Sequence, residues 1–259
     1  MRQAQAVTAV VLAGGDAGDA LAVSAGVPAK SLLPVAGRPL ASYVLDALQA
    51  SGSVGEIVYV GPTDQELAAY EVVHVPAGRR FEDSLALGLG AALGRGAERM
   101  LVATADLPWI TPEAVIRFLD SASALEADVV YPIVAEETMQ AAFPEQRRTY
   151  VRLRDGRFTG GNLALLTAEG VTGVLPLVSR AFRSRKNPVA MASIIGLDVA
   201  VGLASGGASL ASLEARASHL MRVAGRALRS EDASLAADVD RLDHLPGVLD
   251  PAEPEWRKA

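Results

Sequence analysis

Asp106 follows the apolar run Met100-Leu101-Val102-Ala103-Thr104 and stands two residues before Pro108. A carboxylate just past the end of a buried strand suits a hard cation such as Mg²⁺, with phosphate oxygens as its other ligands. The competing reading is an aspartate closing the loop ahead of a helix capped by Thr111, with Pro112 in its first turn. Asp238 and Asp240 add two carboxylates, which an extended backbone places on one side with Val239 on the other. Asp240 could equally cap a helix beginning Arg241-Leu242-Asp243, so the pair alone decides nothing. Lys30 supplies the opposite charge from a loop otherwise poor in charge, and its ammonium can reach phosphate oxygens. In Leu12-Ala13-Gly14-Gly15 an apolar run breaks at two glycines, where backbone amides can approach a ligand without a Cβ in the way.

The chain carries a net charge of −6, so its local basic groups stand out. Arg147, Arg148, Arg152, Arg154 and Arg157 crowd one short region, and Arg180, Arg183, Arg185 and Lys186 end a helix. Arg148 and Lys186 are the candidate contacts to an anionic ligand; for most of the others, solvated faces and helix C-terminal charge compensation suffice. Arg38 either reaches phosphate or neutralises the neighbouring helix. His74, His219 and His244 have no metal-ligand spacing, and neither a Ser-His-Asp order, a Walker lysine nor a full G-x-G-x-x-G is present. With no cysteine, disulfides, thiolate zinc sites and cysteine nucleophiles are excluded.

Buried strands must position these groups. Val7 to Leu12, Glu56 to Val60, Val72 to Val75, Met100 to Thr104 and Asp128 to Val134 read as strands. Helices are expected over Leu40 to Ala50, from Phe81 and from Thr111. Gly88 and Gly90 each cost that second helix about 1 kcal/mol relative to alanine, which close approach of a packed neighbour or of a ligand would explain. Alternating β and α elements imply a parallel, doubly wound sheet. Beyond residue 140 the pattern changes to a hairpin. Thr149 to Leu153 pairs across Arg154-Asp155-Gly156-Arg157 with a strand running from Phe158 to Leu166 through Gly160, Gly161 and Asn162. Helices at Pro176 to Ser184, Pro188 to Ile195 and Ser209 to Val223 follow, then a strand-like Arg226 to Leu228.

Half of the 259 residues are hydrophobic, enough for a sizeable core in one large domain or two small ones. The acidic balance disfavours nucleic acid and anionic membranes. Val7 to Leu12 is a strand rather than the core of a signal peptide, and Pro188 to Ala211 is too interrupted to span a bilayer. Ala200 to Ala208 is a candidate homodimer contact, and a cytoplasmic setting is expected.

The order Leu12-Ala13-Gly14-Gly15, Lys30, Leu33-Pro34-Val35-Ala36-Gly37-Arg38-Pro39-Leu40 resembles the nucleotidyltransferases related to molybdenum-cofactor guanylyltransferase, the MobA-like family. Asp83-Ser84-Leu85-Ala86-Leu87-Gly88-Leu89, Asp106-Leu107-Pro108 and Asp238-Val239-Asp240 extend the resemblance over nearly the whole chain. It implies a three-layer, Rossmann-like, glycosyltransferase-A-type α/β fold, with a mixed, mostly parallel sheet and helices on both faces. A single domain, 1–259, would divide into a nucleotide-binding half (1–135) and an acceptor-binding half (136–259). The implied reaction passes a nucleotidyl group from an NTP to a small anionic, phosphorylated acceptor, with Mg²⁺ as cofactor. Lys30 and Asp106 would be catalytic. Leu12, Ala13, Gly14, Gly15, Lys30, Ser84, Gly88 and Asp106 would bind the nucleotide. Asp106 with Asp240 or Asp238 would hold the metal, and Arg148, Gly160, Gly161, Asn162 and Lys186 would meet the acceptor. The family's usual arginine in the glycine loop is absent. A nucleotide sensor that does no chemistry and a metal-dependent glycosyltransferase are the rival readings.

Overall fold

The computed structural model describes residues 7–14, 19–184, 190, 193–194 and 196–240. Gly15, Lys186, His244, most of the helix expected over 188–195 and the one expected from Arg241 lie outside the described residues.

The first half runs β1 (Val7–Leu12), α1 (Ala20–Ala25), a ribbon of β2 (Pro34–Val35) and β3 (Arg38–Pro39), α2 (Leu40–Ser51), β4 (Val54–Val60), β5 (Val73–Val75), α3 (Phe81–Gly94), β6 (Arg99–Thr104), α4 (Pro112–Ser123) and β7 (Val129–Ala135). The second half adds α5 (Glu136–Ala142), β8 (Val151–Leu153), β9 (Gly156–Gly160), β10 (Leu163–Thr167), α6 (Ala168–Ser184), α7 (Leu197–Ser205), α8 (Leu210–Met221) and β11 (Gly225–Ser230). The large sheet has the order β5-β4-β1-β6-β10-β7, with β11 parallel along β7 and β9-β8 continuing from its far end. β4, β1, β6 and β5 pair in parallel, while β10 lies antiparallel between β6 and β7.

Alternation along the strands builds both cores. Val7, Ala9 and Val11 of β1 and Leu101 and Ala103 of β6 face Val44, Leu45 and Leu48 of α2 and Phe118 of α4. Val10, Leu12, Met100 and Val102 face Leu85 and Leu89 of α3, Val171 of α6 and Met221 of α8. A period of two on the strands therefore dictates the three layers. Helix α4 begins where expected, because the Thr111 hydroxyl accepts from the Ala114 amide at 3.2 Å and Pro112 needs no donor at its first position.

Four local expectations are corrected. The stretch 158–166 is not one strand: it breaks at Gly161 and Asn162, so β9 stays with the hairpin while β10 enters the main sheet. Helix α6 starts at Ala168, not Pro176; the Thr167 hydroxyl accepts from the Gly170 amide at 3.0 Å, and Pro176 sits inside the helix. Helix α1 lies within what reads as a long loop, capped by Asp19, whose carboxylate accepts from the Leu21 and Ala22 amides. Helix α5, missing from the expected elements, opens with the acidic pair Glu136-Glu137.

Gly88 illustrates the packing. A Cβ at this position would sit 2.5 Å from Val10 Cγ1 and 2.7 Å from Val60 Cγ2, so its absence lets α3 lie on β1 and β4. Gly88→Ala is expected to destabilise by about 1–3 kcal/mol through overpacking, despite alanine's better helix propensity, and urea unfolding midpoints will measure it.

Candidate active site

The carboxyl ends of β1 and β6 form the floor of the site. At the end of β1 the Ala13 and Gly14 amides both donate to the Val60 carbonyl, at 2.8 and 3.0 Å. The Gly14 amide is thus engaged in the turn. The reason for glycine at 14 is steric: a Cβ there would meet Ala77 Cβ at 2.4 Å. Ser84 secures that neighbouring loop, its hydroxyl accepting from the Gly78 amide at 3.0 Å.

Lys30 is held by a 3₁₀ turn over Lys30–Leu32, anchored where the buried Ser31 hydroxyl donates to the Ala13 carbonyl at 2.7 Å. Its ammonium lies 2.5 Å from Asp106 Oδ2 and 3.2 Å from Asp240 Oδ1. Burial acts to lower the Lys30 pKa, but the charges and hydrogen bonds of Asp106 and Asp240 overcome it and raise the value above 10.5. Lys30 is therefore a fixed cation at neutral pH.

The chain's later part folds back onto Asp106. The Val239 amide donates to the Asp106 carbonyl at 3.0 Å, and the Asn162 amide donates to the Leu235 carbonyl at 2.8 Å. Buried Val239 pins the segment while Asp238 and Asp240 turn toward Asp106. One carboxylate oxygen from each of the three lies within 4.8 Å of the others. Arg148 pairs with Asp238 and also donates to the Gly160 carbonyl at 3.3 Å, which ties the hairpin to the acidic cluster. Asp106 Oδ1 is buried and has no partner among the described residues. Hard carboxylate oxygens, one of them unsatisfied, are the donor set a Mg²⁺ ion takes. The residues present fit such an ion.

A cavity of about 250 Å³ opens beside this cluster, lined by Leu12, Ala13, Gly14, Lys30 and Asp106 of the expected residues. Asp19, Ser31, Phe81, Thr104 and Phe182 line it as well. Asp19 had a readable signal, an acidic residue ahead of a small apolar run; the two phenylalanines meet only in the fold, their rings stacked with centroids 4.8 Å apart. Ser84 and Gly88 support the walls without lining them. Gly161 and Asn162 line an adjoining cavity. Arg38 is committed elsewhere, to Asp46 at 2.9 Å, Glu66 at 3.2 Å and the Tyr70 hydroxyl at 3.0 Å, as its neutralising role requires. Arg157 pairs with Glu136.

Removing the Arg148 guanidinium would leave the Asp238 carboxylate, 14% exposed, without its cation. Arg148→Met is expected to lower stability by about 1–3 kcal/mol. The double variant with Asp238→Leu should recover part of that loss in urea titrations.

A mostly parallel sheet with an antiparallel strand inserted, flanked by helices and carrying its acidic cluster at the strand ends, is the glycosyltransferase-A-type fold of the nucleotidyltransferases. The chain belongs to the MobA-like NTP transferase domain family, whose model matches residues 9–192. It is similar to the structure of a hypothetical transferase from Thermus thermophilus, with 42% identity, a TM-score of 0.82, and 93% of this chain and 100% of that one covered. A 2-C-methyl-D-erythritol 4-phosphate cytidylyltransferase of Saccharopolyspora erythraea is 35% identical over 46% of this chain and 56% of its own. The structure of the Thermus thermophilus enzyme of that name is 16% identical with a TM-score of 0.52, covers 93% and 96% of the two chains, and shares the fold. The chain spans 24%, 39% and 56% of the lengths of three curated relatives that it matches. Among the described residues no helix is long and apolar enough to cross a membrane.

Proposed function

We propose that the protein transfers a nucleoside monophosphate from an NTP to the phosphate of a small acceptor and releases pyrophosphate. The observation that carries this reading is the junction of Lys30 with Asp106 and Asp240 at the head of the strand-end cavity. The 4-phosphate in the Saccharopolyspora relative's name supports an acceptor of the same kind. In the reaction an acceptor phosphate oxygen bonds to the α-phosphorus, and the bond from that phosphorus to the bridging α–β oxygen breaks. An acceptor that is already anionic needs no general base, and among the described residues no histidine lines the cavity.

Lys30 offsets charge that develops on the α-phosphoryl oxygens, from a position already fixed before substrate arrives. Asp106, Asp238 and Asp240 would hold Mg²⁺, which when bound neutralises phosphate charge. Three carboxylates against Lys30 and Arg148 leave the cluster anionic, so a divalent cation makes it attractive to an NTP. Residues 1–135 supply Lys30, Asp106 and the cavity floor. Residues 136–259 supply Arg148, Asn162 and the returning aspartates, and so the acceptor side. A cytoplasmic setting suits these substrates.

The test is calorimetry with ATP, GTP, CTP and UTP in Mg²⁺, followed by pyrophosphate release across a set of phosphorylated acceptors. One NTP is expected to bind and to be cleaved only with an acceptor present. A folded protein that binds none of the four overturns the proposal, and binding without release under every acceptor favours the sensor.

A further inference from the structure

The adjoining cavity, about 510 Å³, has a different character from the first. Leu12, Phe81, Thr104 and Phe182 line both, so the two spaces meet at the stacked phenylalanines. Its sheet wall carries Val102 and Leu166, with Ala164 placing only a methyl across from Val102. Opposite stands an apolar stripe of α6, Val174, Leu177 and Val178, at helical spacing. Ala217 and Met221 of α8 line it as well. No charged side chain of the described residues lines it; its polar side chains are Thr104, Tyr131 and Asn162. The Tyr131 hydroxyl donates to the Gly161 carbonyl at 2.6 Å. The Asn162 Nδ2 and Thr104 Oγ1 atoms are buried and have no partner in the described structure.

We propose that this cavity receives the apolar body of the acceptor, making the acceptor a phosphate monoester with a hydrocarbon or aromatic portion. The proposal rests on the nucleotidyl-transfer reading above. The volume falls within the range of about 300–1,000 Å³ usual for ligand pockets, as does the pattern of apolar walls with a few polar groups. A polyol acceptor fits poorly, because several hydroxyls would be buried against three polar side chains and left short of partners. An apolar body loses nothing there and displaces water that has few hydrogen-bonding partners. Thr104, which lines the first cavity together with Asp106, marks the end of this space where the ester would lie. Thr104 is two residues from that aspartate, and its amide donates to the Asn162 carbonyl at 3.1 Å.

The experiment is calorimetry of straight-chain alkyl monophosphates, ethyl to octyl, on the full chain with Mg²⁺ and the NTP already bound in non-hydrolysable form. Affinity is expected to rise about fourfold for each added methylene, the equivalent of about 0.8 kcal/mol. Ala217→Phe, and Leu177→Trp on α6 should the first not fold, are expected to flatten the series while leaving NTP affinity unchanged. A flat series in the unaltered protein with NTP bound overturns the proposal. So does a series that still rises in a folded cavity-filling variant, which places the chain elsewhere. Loss of NTP affinity in Ala217→Phe assigns the cavity to the base and overturns it too. Failure of every NTP to bind is a separate result: it defeats the transfer reading itself.

Discussion

Asp106→Ala is expected to lower pyrophosphate release by at least about 10²–10³-fold, the usual consequence of deleting one preorganised electrostatic group. The fold should survive. The bonds that place residue 106 are made by backbone: the Ala105 amide to the Leu12 carbonyl at 3.0 Å, and the Val239 amide to the Asp106 carbonyl at 3.0 Å. Neither needs the carboxylate. The side chain itself is poorly satisfied, with Oδ1 buried and unpartnered among the described residues, so its removal relieves one desolvated oxygen while costing the pair with Lys30. Lys30 keeps Asp240 at 3.2 Å and is not stranded. Circular dichroism and urea midpoints close to wild type, together with lost turnover, are the expected pattern. Asp106→Asn, which keeps the shape and removes the charge, should lose turnover equally. A folded Asp106→Ala protein that releases pyrophosphate at the wild-type rate would remove this residue from the mechanism.

What could be read before folding follows from the range of the forces involved. The runs forming β1, β4, β6 and β7 are legible because burial on both faces leaves a continuous apolar signature. Asp106 and Lys30 are legible because an isolated charge beside such a run has little structural reason to be there. Pairing partners are another matter. Nothing in Leu163–Thr167 states that it slots between β6 and β7, since strand pattern encodes which face is buried and not which neighbour is bonded. Arg148 and Asp238 are 90 residues apart, and only the returning segment after β11 makes them neighbours. Gly14 and Gly88 are glycines for the reason that sequence suggests, close approach, and only the fold names the approaching groups: Ala77 for the first, Val10 and Val60 for the second. Pro176 misplaced a helix start because proline favours a first turn, whereas Thr167 had already supplied the cap.

Lys30→Met should separate binding from chemistry, because its two effects have opposite sign. The ammonium stands between Asp106 and Asp240 and occupies, in electrostatic terms, the place a divalent cation would take. A unit charge and a divalent one about 4 Å apart repel by about 8 kcal/mol at the effective dielectric of a partly buried pair. Even with side-chain relaxation, removing the ammonium should tighten Mg²⁺ binding by on the order of tenfold, measured by calorimetry without nucleotide. Turnover should nevertheless fall by about 10²–10³-fold, since the charge meeting the α-phosphoryl group is gone. Stability gives a third readout with a determined sign. Despite the opposing effect of burial, Asp106 and Asp240 raise the Lys30 pKa above 10.5, so folding favours the protonated form. That contribution is fully present below the unfolded lysine value and is lost as pH rises through the higher folded one. The wild-type advantage over Lys30→Met in urea should therefore hold from pH 8 to about 10 and shrink only beyond it. Weaker Mg²⁺ binding in the variant, with turnover reduced in proportion, would recast Lys30 as a support for the metal carboxylates and not as a partner of the phosphoryl group.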